Sequence, residues 1–255
     1  MENLNNFEVN NMSYVALLTS SKGAQKKFYQ DGYFYKLDKH GREGLVERLS
    51  SIVLSESNIE NYVTYEQCLI NGKNGCRSFN FLKENEGFVS IQRLYDFHVG
   101  CDIGNQLYQM QEAKDRIAFT LDFIKEITNL DAKDYLGKML SFDALILNTD
   151  RHFHNIGFII NSKTDQFSYS PIFDNGNALL SDYGEFPHFY SLDENILKVS
   201  GKPFLSNLEM QAYLFDFPLK LNYKNIEQKL QHEPPCREIE VLRFQMEKYR
   251  NIFES

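Results

Sequence analysis

Residues Asn148 to Ile160 read NTDRHFHNIGFII, a polar cluster containing Asp150 and Asn155 that turns abruptly into strand-forming residues. The chain after it reads as a strand, a turn at Ser162-Lys163-Thr164-Asp165, and a second strand ending at Phe173-Asp174-Asn175-Gly176. A β-hairpin returns its ends to one place, so Asp150, Asn155 and Asp174 can share a small volume. Two carboxylates and an amide oxygen suit Mg²⁺, which is usually held by one or two carboxylates together with phosphate oxygens. Phosphoryl transfer from ATP needs such a set: one carboxylate to accept or orient the attacking hydroxyl, the other and the amide to hold the metal against the phosphates. Asp-x-x-x-x-Asn, a hairpin, then Asp is the order in which kinases carry these groups. Taken singly, each residue would serve a turn equally well. The ordered triple favours a site. His152 and His154 have no third soft ligand at zinc spacing and are assigned to packing within the loop. Arg151 reads as one half of a surface ion pair.

Several elements must position this set. MSYVALL and KKFYQDGYFYKLD read as strands, the second a hairpin turning at Asp31-Gly32. REGLVERLSSIVLSES carries apolar residues at helical spacing (Leu45, Val46, Leu49, Ile52, Val53). NYVTYEQCLI, CRSFNFL and EGFVSIQRLY return to strand character, with Gly-Lys-Asn-Gly and Glu-Asn-Glu-Gly as turns. From about Gln111 the pattern is mostly helical, including EAKDRIAFTLDFIKEITNL, DAKDYLGKMLSFDALILN, YKNIEQKLQHE and CREIEVLRFQMEKYRNIF. The expectation is an α+β, two-lobed fold in a single domain over residues 1–255. Its strand-rich lobe with one main helix would span about 12–94, and its helical lobe about 95–255.

The first lobe should supply phosphate contacts. TSSKGAQKKF, Thr19 to Phe28, lies between the first two expected strands, is not a Walker A loop, and alone reads equally well as a solvated hairpin loop. Lys36 sits in an apolar strand, where an ammonium is costly unless paired or reaching a ligand. The following helix offers Glu43 and Glu47, one turn apart on one face, as its partner; Glu43 is favoured.

Composition narrows the class. Apolar residues at 42 % and charged residues at 24 % are ordinary for a globular protein, and no stretch reaches the length of a membrane span. The polar N-terminus resembles neither a signal nor a transit peptide. Four cysteines without metal spacing read as reduced thiols, which points to the cytoplasm. A net charge of −8, with no helix-turn-helix or basic arm, argues against direct nucleic-acid or anionic-membrane binding.

With these residues in view, the chain resembles HipA-like kinases, the bacterial serine/threonine kinases of toxin–antitoxin systems. SSKGAQKK, Ser20 to Lys27, is similar to their S-x-x-G-x-Q-x-K loop, YKLD to their strand lysine, DRHFHN to their D-x-H-x-x-N catalytic loop, and PIFDNGN to their metal-binding strand end. The likeness runs from about Ser13 to Leu180, in the compact form without the family's extra N-terminal subdomain. It implies a kinase-like fold, ATP and Mg²⁺ as cofactors, a protein substrate, and an antitoxin protein as a partner to look for. It implies Asp150 as catalytic base and Asn155 and Asp174 as Mg²⁺ ligands. Lys36, with Glu43 beside it, would contact the α- and β-phosphates. Ser20, Ser21, Gly23, Gln25 and Lys27 would belong to the loop over the nucleotide, and the backbone from Ile91 to Arg93 would hold adenine. Autophosphorylation of Ser20, or of its neighbour Ser21, would add up to about −2 charge beside the ATP phosphates and switch the kinase off. DRHxxNI also resembles phosphoinositide kinases, but those act at membranes with basic surfaces that this chain does not offer. Small-molecule phosphotransferases of the same fold and a nucleotide-binding pseudokinase module are the further alternatives; the intact triple argues against the last.

Overall fold

The computed structural model describes residues 4–10 and 25–254. The strand expected over Met12–Leu18 and the loop residues Ser20, Ser21 and Gly23 lie outside the described residues.

Five strands form the first sheet: β1 (Asn6–Phe7), β2 (Lys27–Gln30), β3 (Tyr33–Leu37), β4 (Tyr65–Ile70) and β5 (Lys73–Phe79), in the order β1-β4-β5-β3-β2. β1 runs parallel to β4, and the other neighbours are antiparallel. The β2–β3 hairpin turns at Asp31 and Gly32, with φ of 51° and 81°, as a two-residue turn matched to strand twist requires. Helix α1 (Glu43–Leu54) crosses this sheet and turns Leu45, Val46, Leu49, Val53 and Leu54 inward. Its first turn approaches β5 closely: a Cβ on Gly44 would lie 2.4 Å from the Gly75 carbonyl oxygen, and one on Gly75 would lie 2.3 Å from that of Lys36. Gly75 is therefore not the end of a turn, as Gly-Lys-Asn-Gly suggested, but part of β5. The turn sits one pair earlier, at Asn71 and Gly72.

The second sheet is β6 (Glu86–Ser90), β7 (Gly157–Asn161) and β8 (Gln166–Tyr169), all antiparallel. The hairpin at Ser162–Asp165 is thus where the sequence puts it. β6 is not. It was expected to close the first lobe, and it pairs with β7 instead, so the first sheet ends at Phe79 and the residues beyond it lead into the second lobe.

The helical part comprises α2 (Ile91–Val99), α3 (Ile103–Tyr108), α4 (Ala113–Thr128), α5 (Lys133–Ile146), α6 (Leu192–Ile196), α7 (Leu208–Tyr213), α8 (Tyr223–Leu230) and α9 (Arg237–Phe253). α5 is central: from Met139 to Ile146 every residue is buried. Leu147 ends it with φ 57° and delivers the chain straight into the polar loop. The main core joins α1 to these helices, while a smaller core of Val9, Phe28, Tyr35, Cys68 and Ile70 lies within the first sheet. A third, of Val63, Tyr65 and Cys76 with Phe81 and Phe173 against it, lies between the two sheets. Among the described residues no helix is long and apolar enough to cross a membrane.

Candidate active site

The polar loop is held from below by a buried ion pair. Arg151 is fully buried; its Nε donates to Asp143 Oδ2 at 2.9 Å and its Nη2 to Asp143 Oδ1 at 3.0 Å. Its remaining donors reach the Phe173 carbonyl at 2.7 Å and Asn175 Oδ1 at 2.6 Å. Arg151 is thus not half of a surface pair. Its planar fork fastens α5, the loop and the Asp174 turn together, a geometry that guanidinium provides and ammonium does not. Asp143 escaped sequence reading, although an aspartate inside the apolar run FDALIL is a signal that a buried partner exists. Asn148 completes the arrangement, donating to Asp143 Oδ1 at 2.8 Å and accepting from the Asp150 amide at 3.0 Å.

Above the loop, Lys36 is buried in β3 and its Nζ lies 3.0 Å from Glu47 Oε1, 3.2 Å from the Tyr65 hydroxyl and 2.7 Å from Asp174 Oδ1. The partner on α1 is therefore Glu47 and not Glu43. Glu43 sits at the first helical position and its carboxylate accepts the backbone N–H groups of Lys39, His40, Gly41 and Arg42, so it is occupied in holding the turn that leads into its own helix. Glu47, one turn on, is buried under the sheet and also accepts the Asn175 amide at 3.0 Å. Burial alone would raise the Asp174 carboxyl, but Lys36, and then Lys27, outweigh it and hold Asp174 well below the usual carboxylate range. The same pairing lifts Lys36 above its ordinary value against the penalty of burial. Lys27, directly opposite Lys36 in the β2–β3 ladder, lies 3.9 Å from Asp174 Oδ2; burial lowers its ammonium, and the attraction of Asp174 only partly offsets this.

Asp150 faces outward. With Asp174, Asn177, Gln25, His40 and Lys202 it lines a cleft of about 450 Å³, within the range of small-molecule sites. Asn155 is buried beneath it, with Nδ2 donating to the Asp150 carbonyl at 3.1 Å. Its Oδ1 is buried without a hydrogen-bond partner, and such an atom is uncommon unless something else takes the lone pair. The open amide oxygen of Asn155 and the ionised carboxylate of Asp174 are each hard oxygens of the kind that suits Mg²⁺. Among the described residues no cluster of three or more His, Cys, Asp or Glu is placed to hold a metal.

A second cavity, of about 100 Å³, shares Asp174 and runs inward between the sheets, lined by Lys27, Lys36, Val63, Tyr65, Phe81, Leu82, Phe88 and Phe173. Phe81, Phe88 and Phe173 pack edge-to-face or tilted, at 5.3 to 6.4 Å between centroids. The chain crosses from one lobe to the other along Asn80–Leu82, at this cavity. Ile91 and Arg93 do not line it. Ile91 is fully buried and its amide donates to the Ile156 carbonyl, Gln92 donates to Phe153, and Arg93 donates to the Ser90 side chain that caps α2. Ile91 to Arg93, expected to hold adenine, are instead engaged with the polar loop and the start of α2, because β6 belongs to the second sheet.

A scan against protein-family models finds no match, and a search of curated proteins finds none. Among solved structures, the crystal structure of the Helicobacter pylori proinflammatory kinase CtkA superposes with a TM-score of 0.66 at 15 % identity, covering 98 % of this chain and 95 % of that one. The chain has a kinase-like fold. The Shewanella oneidensis toxin HipA, solved with HipB and its operator DNA, aligns at a TM-score of 0.40 and 13 % identity over 94 % of this chain and 64 % of that one. In this kinase-like fold the strand-rich lobe contributes Lys36 and Glu47, the helical lobe contributes Asp150, Asn155 and Asp174, and the cleft lies between them. The segment from Gly184 to Glu194 borders the cleft through Glu185 and Phe186. Its Phe189 is 80 % exposed.

Proposed function

We propose that the chain is an ATP- and Mg²⁺-dependent phosphotransferase acting on serine or threonine hydroxyls of protein. One observation carries this reading: Asp150 and Asp174 line a single cleft, and Asp174 is held there by a buried lysine that is itself paired to Glu47. Asp150, part-exposed and bordering open space, suits the base that receives the acceptor hydroxyl proton. The hydroxyl oxygen then bonds to the γ-phosphorus, the bond from that phosphorus to the β–γ bridging oxygen breaks, and ADP leaves. Lys36 and Lys27 suit the phosphate oxygens, and the aromatic cavity at Asn80–Leu82 suits a purine. Mg²⁺, when bound, would neutralise charge on the phosphates, with Asn155 and Asp174 as its protein ligands. The exposed Phe189 and Tyr190, on a segment that borders the cleft, support a polypeptide acceptor over a small molecule. Ser20 and Ser21 are the proposed acceptors within the chain itself.

The test is Mg²⁺-dependent nucleotide binding together with ADP formation. Wild-type protein should bind ATP more tightly with Mg²⁺ than without and should form ADP. Asp174→Asn should lose most of the Mg²⁺ dependence, and Asp150→Asn should keep binding while ADP formation falls about 10²-fold or more. Binding with no ADP formed in any condition would replace this reading with that of a nucleotide-binding module.

A further inference from the structure

Lys202 has no counterpart in the motifs that led to the site, yet its Nζ lies 2.9 Å from Asp150 Oδ1 and its side chain borders the same cleft. The other Asp150 oxygen accepts from Asn177 Nδ2 at 3.3 Å. A half-exposed lysine beside an aspartate is common on protein surfaces. The backbone beneath this one is not a surface loop. Gln211, fully buried in α7, donates to the Lys202 carbonyl at 2.9 Å and accepts the amides of Phe204 and Leu205 at 2.9 and 3.2 Å. Arg116 in α4 donates to the Phe204 carbonyl at 3.0 Å. The Phe204 ring, itself buried, packs edge-on against Phe153 of the polar loop at 5.5 Å between centroids. A buried glutamine, a half-buried arginine and an aromatic pair thus fix the backbone of Lys202 relative to Asp150.

The charges around the cleft are unevenly placed. Lys36 and Lys27 both stand at Asp174, on the side facing the first sheet. At Asp150, where the transferred group must pass, Lys202 and His152 are the basic side chains within 4 Å among the described residues, and His152 stands at 3.9 Å. A γ-phosphoryl group lying between two carboxylates meets repulsion that a fixed cation on the Asp150 side would relieve, and more so as negative charge shifts onto its oxygens in the transition state.

We propose that Lys202 is a catalytic residue: it pairs with Asp150 until the acceptor hydroxyl takes that place, then contacts the γ-phosphoryl oxygens during transfer. The proposal rests on the phosphotransfer reading above. Lys202 keeps its proton throughout. The acceptor proton goes to Asp150, the new bond forms from the acceptor oxygen to phosphorus, and the electron pair of the broken bond leaves on ADP.

The experiment compares wild type, Lys202→Met and Lys202→Arg for binding of Mg²⁺-ADP, for binding of Mg²⁺-ADP with aluminium fluoride (a mimic of the transferring phosphoryl group), and for ADP formation from ATP. The expected result is unchanged Mg²⁺-ADP binding in both variants. Lys202→Met should lose about 10²-fold in ADP formation and a comparable factor in affinity for the fluoride complex, with partial recovery in Lys202→Arg. Equal affinity of wild type and Lys202→Met for the fluoride complex, or ADP formation that is unchanged or faster in Lys202→Met, overturns the role of Lys202 alone. Wild type that forms no ADP overturns the phosphotransfer reading and this assignment with it. Retained Mg²⁺-ADP binding by the variants marks any loss of rate as chemical and not a failure to fold.

Discussion

At the scale of single residues, the site separates two glutamates that sequence cannot tell apart. Glu43 and Glu47 lie on one face of α1, but one holds the backbone of the preceding turn and the other reaches Lys36. The two should therefore fail differently. Glu47→Gln removes the charge that holds Lys36 in place and should lower ADP formation about 10²-fold. Glu43→Gln should cost about 1 kcal/mol of stability, as weakening hydrogen bonds to backbone amides does, with little change in turnover. Thermal melts and steady-state rates on the two variants check this; the reverse pattern would restore Glu43 as the lysine's partner. That Asp150, Asp174 and Lys36 come together was legible because each is placed by short-range order: a loop, a hairpin and one strand. Asp143 and Lys202 were not, since the first announces itself only as a polar residue in an apolar run and the second lies 52 positions from the aspartate it meets.

At the scale of elements, α1 is held on its outer side by the C-terminal helices. Arg42, which precedes its first turn, makes a two-point ion pair with the buried Glu238 of α9, and the Tyr183 hydroxyl donates to the same carboxylate at 2.7 Å. Arg48 reaches Glu233 at 2.8 Å, and Glu56 reaches Lys229 of α8 at 2.6 Å. Since α1 carries Glu47, these pairs position the Lys36 contact from a distance. Burial would raise the Glu238 carboxyl, but Arg42 outweighs it and the net shift is downward. A carboxyl depressed in the folded state stabilises fully above its unfolded value, and that contribution is lost as pH falls through the folded one. Glu238→Gln should accordingly cost about 2 kcal/mol at pH 7 and progressively less as pH drops below the ordinary glutamate value of 4.5. Chemical denaturation of both proteins at pH 7 and at low pH measures this, and a penalty that grew on acidification would contradict it. Helices α1, α4, α5, α8 and α9 were visible in the apolar spacing. α6 and α7 were not, being five and six residues long and defined mainly by the caps at Ser191 and Asn207. EGFVSIQRLY was read as one strand of the first lobe, but only Glu86–Ser90 is strand, in the second sheet, and Ile91–Tyr95 begins α2. Alternation reports that a strand is buried on one face, not which strand it pairs with.

At the scale of the whole molecule, the lobes meet along a seam whose parts come from distant sequence. Asn61 and Val63, ahead of β4, pair with Ile172, just ahead of Asp174, through the Val63 amide to the Ile172 carbonyl and the Ile172 amide to that of Asn61, both at 2.9 Å. That contact sets the metal-ligand candidate Asp174 against the sheet that carries Lys36. The likeness to CtkA across 98 % of the chain, at 15 % identity, shows how little of such a framework depends on particular side chains. The central claim is chemical, and intact mass spectrometry tests it most directly. Wild type and Asp150→Asn would be incubated with ATP and Mg²⁺, and any phosphate mapped to its residue. The account predicts that wild type gains the mass of one phosphate, on Ser20 or Ser21, and that Asp150→Asn does not. Wild type that gains no phosphate and forms no ADP, or an Asp150→Asn variant phosphorylated as fast as wild type, would contradict it.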